Sequence, residues 1–572
     1  MSHSAAPQKL TPVSKSDPLA PGNSAHEPFR LYCRRVFVYL LSFTSILHLI
    51  WAHESASYFV LHSFLLSLPG ILLAALPALL PPRLSRPYLI FTYIFLAPPA
   101  FACAMHLALF QTPITAQSFF ALFKAGSVPS AGLFQEHMAW RLCFLTAAIT
   151  IIPAWLLHRT LKIPHPGFGK AQTGLFIGLG SIILALAVVL GPAKLMRANI
   201  IYEVYASLVE FGGYMARLQG ALWLNANTQF TGTRLTTPSE EERTIVVVVG
   251  DFANRAHHSI YGYGRNTTPN LAALADELAI FKDIITTCVE PAACMREIIS
   301  LPGPQGQRLP LFALLNQAGF HTYWLNNQPD IENSDTETVA LAASASGDAH
   351  LNRGGDPRFN PGLDEKLLAP LEEVLRGDPG RKIIFVRLMG SRPEYAARYS
   401  KDLKRFTDCH DVQAEAGFTP EDCASLNDYD NSIIYTDALL KNIIDLTDRL
   451  APESALVYFS NHGANAYGSP QGDNVDSGFK SINYHEIPFF IWLSNGFKAA
   501  NADSVTRWPQ YTERRATLND FSHTLADLAG ARFDGYDPAR SLLSEQFLPR
   551  TRTVNGLDYD ARFSETVARP AP

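Results

Sequence analysis

The hydrophobic pattern changes character near the middle of the chain. In the first third, five apolar segments follow one another: Val36–Ala52, Tyr58–Leu80, Tyr88–Phe110, Met138–Leu157 and Thr173–Leu190. Each approaches the ~20 residues that a helix needs to cross a bilayer. Pro69, Pro77, Pro98, Pro99 and Pro153 interrupt them, which neighbouring helices accommodate in lipid. Buried core helices of a large soluble protein are the alternative, and the clustering in one third of the chain argues against it. From Thr244 onward the pattern is different. Ile245–Val249 is an unbroken β-branched run, too short for a span, and reads as a buried parallel strand. Lys382–Leu388, Ala455–Phe459 and Phe489–Leu493 read likewise. Between them lie helix patterns: an Ala/Leu-rich stretch after Leu271, and Asn431–Leu450 with Leu439/Ile443 and Leu440/Ile444 one turn apart. Such alternation predicts a mainly parallel sheet covered by helices.

Basic residues orient the first part. Lys9, Lys15, Arg30, Arg34 and Arg35 precede the first segment, Arg83 and Arg86 follow the second, and Arg159, Lys162 and Lys170 follow the fourth. The opposite links are nearly free of them, Lys124 excepted. By the positive-inside rule the N-terminus is cytoplasmic, and everything after Leu190 lies on the far side. Phe119–Phe134 reads as an interfacial loop or a polar linker. Asn199–Asn227, with an apolar stripe including Ile200, Val204, Leu208 and Tyr214, reads as helices on the membrane surface or as a plain linker.

Composition agrees with a chain that is part membrane, part globular: 572 residues, 47% hydrophobic and only 17% charged. The net charge of −5 and the absence of a basic run give no case for nucleic acid. The expected domains are a disordered cytoplasmic tail (1–32), a five-helix transmembrane domain (33–192), bridging helices (193–240), a far-side α/β domain (241–552) and a C-terminal tail (553–572).

Asp251 falls just past the carboxyl end of the Ile245–Val249 strand, where open α/β sheets bind ligands. A polar loop follows, Tyr261-Gly-Tyr-Gly-Arg-Asn-Thr-Thr-Pro-Asn-Leu271. Further strings stand in order behind it: Tyr323-Trp-Leu-Asn-Asn-Gln328, Leu388-Met-Gly-Ser-Arg-Pro393, Asn427-Asp-Tyr-Asp-Asn431 with Tyr435-Thr-Asp437, Ser460-Asn-His-Gly463, and Ile487-Pro488 through Trp492-Leu-Ser494. Together they resemble the membrane-anchored phosphoethanolamine transferases of the alkaline-phosphatase-like (sulfatase-like) superfamily.

The resemblance implies a sulfatase-like periplasmic α/β domain on five inner-membrane helices. It implies transfer of phosphoethanolamine from phosphatidylethanolamine to a lipopolysaccharide or other periplasmic glycan through a phosphothreonine. Zinc would activate the threonine and neutralise the phosphoryl charge. The family's metal ligands are Glu, the nucleophilic Thr, Asp and His. Here the glutamate position is Asp251, the aspartate is Asn461, and His462 is retained. The threonine slot, Glu290 to Ala293, holds no hydroxyl, which leaves Glu290, Thr286 and Thr287 as candidates. Family histidines are replaced by Arg387 and Arg392, candidates for phosphate binding through forked hydrogen bonds, and a later one has no counterpart between Gly463 and Tyr484. Weak or absent zinc is the expectation.

Of seven cysteines, four form close pairs, Cys288/Cys294 and Cys409/Cys423. In an oxidising periplasm these read as two disulfides, with free buried thiols as the alternative. Three functional readings compete: an active transferase, a non-catalytic relative that binds phospholipid or lipopolysaccharide, and a soluble-type sulfatase or phosphatase. The missing Cys/Ser-x-Pro-x-Arg signature disfavours the third.

Overall fold

Thr244–Gly250 (β1) is buried at every position and stands at the centre of a seven-stranded sheet. The other strands are Leu278–Phe281 (β2), His321–Asn326 (β3), Gly347–His350 (β4), Lys382–Arg387 (β5), Ser454–Ser460 (β6) and Phe489–Leu493 (β7). Their order is β2-β7-β6-β1-β5-β3-β4. β6, β1, β5, β3 and β4 run parallel to one another, and β7 is antiparallel to both β6 and β2. This is the mainly parallel sheet that the strand patterns predict. The computed structural model describes residues 26–51, 76–77, 80–110, 114, 119, 136–165, 174, 178, 181, 200–236, 242–303, 307–328, 336–351, 362–377, 379–412, 418–466 and 482–563.

The chain divides into two compact units: Met1–Thr115 with Val128–Ser207, and Ala116–Ser127 with Leu208–Pro572. In the second unit, alternate residues of each strand feed two cores, which is why β1 is apolar throughout rather than alternating. Ile245, Val247 and Val249 pack with Phe312, Trp324, Phe385 and Phe521 on one face. Val246 and Val248 pack with Leu371, Leu439, Leu440, Ile443 and Ile444 on the other. The tips of β1 and β6 lie side by side, Gly250 opposite Ser460.

Two helix expectations are corrected. The helix expected from Asn431 spans Pro420–Leu450, starting at a capping box in which Thr419 and Asp422 satisfy each other's backbone donors. Its first turns bury Asn427, Tyr429 and Asp430 through polar contacts rather than an apolar stripe, so periodicity does not reveal them. After Leu271 the helix is only Pro269–Ala273, because Leu278–Phe281 is taken up as an edge strand against β7. The expected tail from residue 553 is folded as far as Phe563: Thr553–Val554 pairs with Leu557–Asp558, and Val554 and Tyr559 are buried.

In the first unit, His26–Trp51, Pro82–Phe110 and Glu136–Leu161 are helices at three of the expected spans. Tyr32 and Ser85 share a hydrogen bond of 2.6 Å, and the Tyr93 hydroxyl donates to the Thr150 carbonyl at 3.1 Å. Among the described residues no helix is long and apolar enough to cross a membrane. The segments Tyr58–Leu80 and Thr173–Leu190 lie almost wholly outside the described residues.

Candidate active site

β1 carries Asp251 to the carboxyl edge of the sheet, where it is fully buried. Phe252 follows at φ +58°, a left-handed turn that non-glycine residues rarely take. Tyr429 holds this turn: its hydroxyl donates to the Phe252 carbonyl at 2.7 Å and accepts from Asn254 N at 2.8 Å. β6 brings Asn461 and His462 to the same edge, and Asn461 N donates to the Gly250 carbonyl at 3.0 Å.

His462 Nε2 lies 3.2 Å from Asp251 Oδ1. Its other nitrogen, Nδ1, is 2.8 Å from the Gly463 carbonyl, which only accepts, so Nδ1 carries the proton. In the neutral ring, Nε2 would then face the carboxylate with a lone pair. Asp251 Oδ1 is buried without a hydrogen bond. The contact therefore calls for a proton or another cation between the two atoms.

The second oxygen of Asp251 is held. Gln328 Nε2 donates to Oδ2 at 2.7 Å and to the Leu388 carbonyl at 2.7 Å. Arg392 Nε stands 3.7 Å from the same Oδ2, and Arg392 Nη1 donates to Gln328 Oε1 at 3.2 Å. Arg392 reaches this position through a turn that Asp364 builds: its carboxylate accepts from Met389 N at 2.7 Å, Gly390 N at 3.0 Å and Asn327 Nδ2 at 2.8 Å. Burial pushes the Asp364 carboxyl up to about 6, against the pull of these donors.

The remaining candidates fall elsewhere. Arg387 ends β5, buried, in register with Val249 and Asn326. Glu290 caps the helix Pro291–Ile298, accepting from Ala292 N at 3.2 Å and Ala293 N at 2.7 Å. The Thr287 hydroxyl donates to Asn519 Oδ1 at 2.9 Å, and that of Thr286 lies 3.1 Å from Cys288 Sγ. Cys288–Cys294 and Cys409–Cys423 are disulfides, with Cα atoms 5.4 and 6.0 Å apart.

Sequence reasoning placed no role on Gln328, Asp364 or His485. Gln328 closes a string already singled out, and its signal is a run of amides at the carboxyl end of a buried strand. His485 is buried one residue beyond the Gly463–Tyr484 interval, with Nδ1 2.9 Å from the Thr286 carbonyl.

A zinc ion that catalyses transfer ordinarily keeps three protein ligands. Asp251 Oδ1 and His462 Nε2 are spaced as two ligands of one ion would be. Asn461 turns its Oδ1 to His462 N at 2.7 Å. Arg392 sets a fixed positive charge beside the other Asp251 oxygen. Among the described residues no group of three His, Cys, Asp or Glu side chains is placed to hold a metal. Among the described residues the donor set is short of a tight zinc site.

Residues 243–531 match the sulfatase family model. Phosphoethanolamine transferase EptC of Escherichia coli O18:K1:H7 (strain RS218 / NMEC) is 27% identical over 476 residues, 77% of this chain and 81% of the relative. Phosphoethanolamine transferase CptA of Salmonella typhimurium (strain LT2) is 26% identical over 475 residues, with the same coverage of 77% and 81%. Among solved structures, the C-terminal periplasmic domain of EptC from Escherichia coli superposes with a TM-score of 0.52 at 28% identity, covering 58% of this chain and 96% of that one. The same domain in complex with Zn gives the same values.

Proposed function

The chain belongs to the sulfatase family, and from that premise we propose that it is an inner-membrane phosphoethanolamine transferase. Its donor is phosphatidylethanolamine, and its acceptor a lipopolysaccharide or other periplasmic glycan. The observation that carries the reading is the cluster of Asp251, His462, Gln328 and Arg392 at the carboxyl edge of a family sheet. The transferase relatives support it, because 77% of this chain is more than Arg243–Pro572 can supply. The match therefore reaches into the apolar first part. With the five apolar segments and the placement of the basic residues, that extent is in keeping with five spans, a cytoplasmic N-terminus and a periplasmic catalytic domain.

In this reading Arg392 orients a phosphodiester through its planar fork, and Arg387 lies at the tip of the next strand. Gln328 fixes Arg392 and Asp251 together. His462 Nε2 faces Asp251 Oδ1 across the position that a shared proton or cation would take. Zinc, which the EptC relative's domain binds in its solved complex, is held weakly here, since among the described residues two ligands stand where three are needed. The helix that starts at Pro291 presents Ala292 and Ala293, with both Glu290 oxygens engaged. Without a hydroxyl there, the covalent route of the family is impaired, and transfer is slow.

The experiment is transfer of label from phosphatidylethanolamine carrying a labelled headgroup, with the purified full-length protein and a lipopolysaccharide acceptor. Labelled acceptor that disappears in Asp251→Asn supports the reading. Lipid binding with no labelled acceptor at any protein concentration would instead identify a relative that binds without chemistry.

A further inference from the structure

Asp364 touches none of Asp251, His462 and Arg392 in its hydrogen bonds, yet two arms of their cluster rest on it. Its Oδ1 accepts from Met389 N at 2.7 Å and Asn327 Nδ2 at 2.8 Å, and its Oδ2 accepts from Gly390 N at 3.0 Å. One arm runs from Met389 and Gly390 along the chain to Arg392. The other runs from Asn327 to its neighbour Gln328, which donates to Asp251 and accepts from Arg392. A single buried carboxylate thus ties the segment after β3 to the segment after β5. An ionised carboxylate only accepts, which suits the three donors gathered on its two oxygens. We propose that Asp364 is a positioning residue for the phosphodiester site, holding Arg392 and Gln328 in place only while its carboxylate is ionised. The proposal rests on the transferase reading for the identity of the ligand. The positioning itself follows from the hydrogen bonds.

A proton on Oδ2 sets an O–H against the Gly390 N–H, donor against donor. A proton on Oδ1 does the same to Met389 or Asn327. Either way one tie between the two segments is lost. The Gly390 turn has little room to adjust, since its φ is +58° and its backbone is pressed against that of Asp251. Several groups face the carboxylate. The stretch after Gly390 brings Arg398, itself 3.8 Å from Glu394. The helix Pro420–Leu450 brings Tyr435, and β6 brings Tyr458. Glu365 and Lys366 follow Asp364 in the chain. Burial pushes both tyrosines up, so they stay neutral, and Arg398 is a cation that favours the ionised form. Burial still outweighs it and the three donors, and raises the Asp364 carboxyl to about 6. The folded chain therefore takes this proton more readily than the unfolded chain, and protonation adds to stability. Loss of positioning in mild acid is then distinct from unfolding.

The test uses the full-length protein in phosphatidylcholine nanodiscs, in two measurements. The first is hydrogen exchange of the peptide that contains Met389 and Gly390, corrected for the intrinsic effect of pH. Protection in the wild type should fall between pH 7 and pH 5, while β5 stays protected. In Asp364→Asn, whose amide also turns a donor toward the turn, protection should already be low at pH 7. The second is titration calorimetry with glycerophosphoethanolamine from pH 8 to 5. If only the ionised form binds, wild-type affinity should drop by about tenfold at pH 5. Asp364→Asn should bind weakly at pH 8 and lack this acid drop. Arg398→Gln, which removes the facing cation, should move the drop to higher pH. A merely structural role would lower affinity in these variants without changing the pH profile. Thermal unfolding of each variant identifies any that fail to fold, and the wild-type exchange profile decides the matter without them. Unchanged wild-type protection at pH 5, or a full acid drop in folded Asp364→Asn, would overturn the positioning role. The expected exchange with no probe bound at any pH strikes only the transferase reading. Probe binding with unchanged exchange strikes only the role of Asp364.

Discussion

Gly390 sits at φ +58°, and a Cβ there would lie 2.6 Å from both the N and the O of Asp251. Its turn presses the backbone after β5 against the strand tip, where Ser391 N donates to the Asp251 carbonyl at 2.8 Å. Gly390→Ala therefore meets both a strained backbone and a clash with main-chain atoms that cannot rotate away. A loss of roughly 2–4 kcal/mol is expected, read as a lowered urea midpoint, with transfer lost in the surviving folded protein. Zinc gives a second test at this scale. The wild-type chain should retain less than one zinc per chain after dialysis, and Asn461→Asp combined with Ala292→Thr should raise that occupancy. One tightly held zinc in the wild type would refute the ligand count. Asp251 and His462 were legible in the sequence because a strand tip and the Ser460-Asn-His-Gly463 string point to them. Gln328 and Asp364 were not, since their roles depend on which strand ends become neighbours.

The helix that begins at Pro291 shows how an element can decide a residue's role. Glu290 satisfies two of its first free N–H groups, an ordinary capping function for an acidic side chain. Glu290→Ala should cost about 1 kcal/mol of stability, seen in thermal unfolding, and leave any residual transfer rate unchanged. A collapse of activity with unaltered stability would make Glu290 a chemical participant instead. The long helix Pro420–Leu450 carries the complementary lesson. Its C-terminal half was legible from Leu439, Leu440, Ile443 and Ile444, which pack on the sheet. Its N-terminal half is anchored by Arg265, whose Nη1 donates to Asp430 Oδ2 at 3.0 Å and Asn427 Oδ1 at 2.8 Å. Such long-range polar ties leave no period in a sequence.

For the whole molecule, burial pushes His258 and His523 down to about 4 and Asp364 up to about 6. The signs oppose one another. As pH falls from about 6.5 to 4, the unfolded chain protonates its histidines while the folded chain does not, so stability is lost. As pH falls below about 6, the folded chain protonates Asp364 before the unfolded chain does, so stability is gained. Asp437 and Glu486, also raised by burial, add to the gain, while Asp411, held low by Arg265, and Asp560, held low against its burial by Arg552, add to the loss, so the prediction is made for His258 alone. For the fully buried His258 the loss reaches up to ~3 kcal/mol. A Tm profile from pH 7 to 4.5 checks this, and His258→Gln should flatten it. An equal slope in that variant would assign the acid sensitivity to other groups. The proposed topology has its own readout: a reporter fused after Pro572 should be active only where activity requires export. The sheet order was hidden from the sequence, because nothing in Phe489–Leu493 distinguishes a strand that runs against its neighbours. That reversal has a further effect. It brings the entrance of β7 to the edge where β1 and β6 end, so close that a Cβ on Gly463 would lie 2.1 Å from the Asn483 carbonyl. The site is thus assembled from stretches far apart in the gene, while the apolar strands that hold the fold lie outside it. Single codon changes at this edge, a glutamate for Asp251 or a histidine for Arg392, therefore alter the donors of the site without touching an apolar strand.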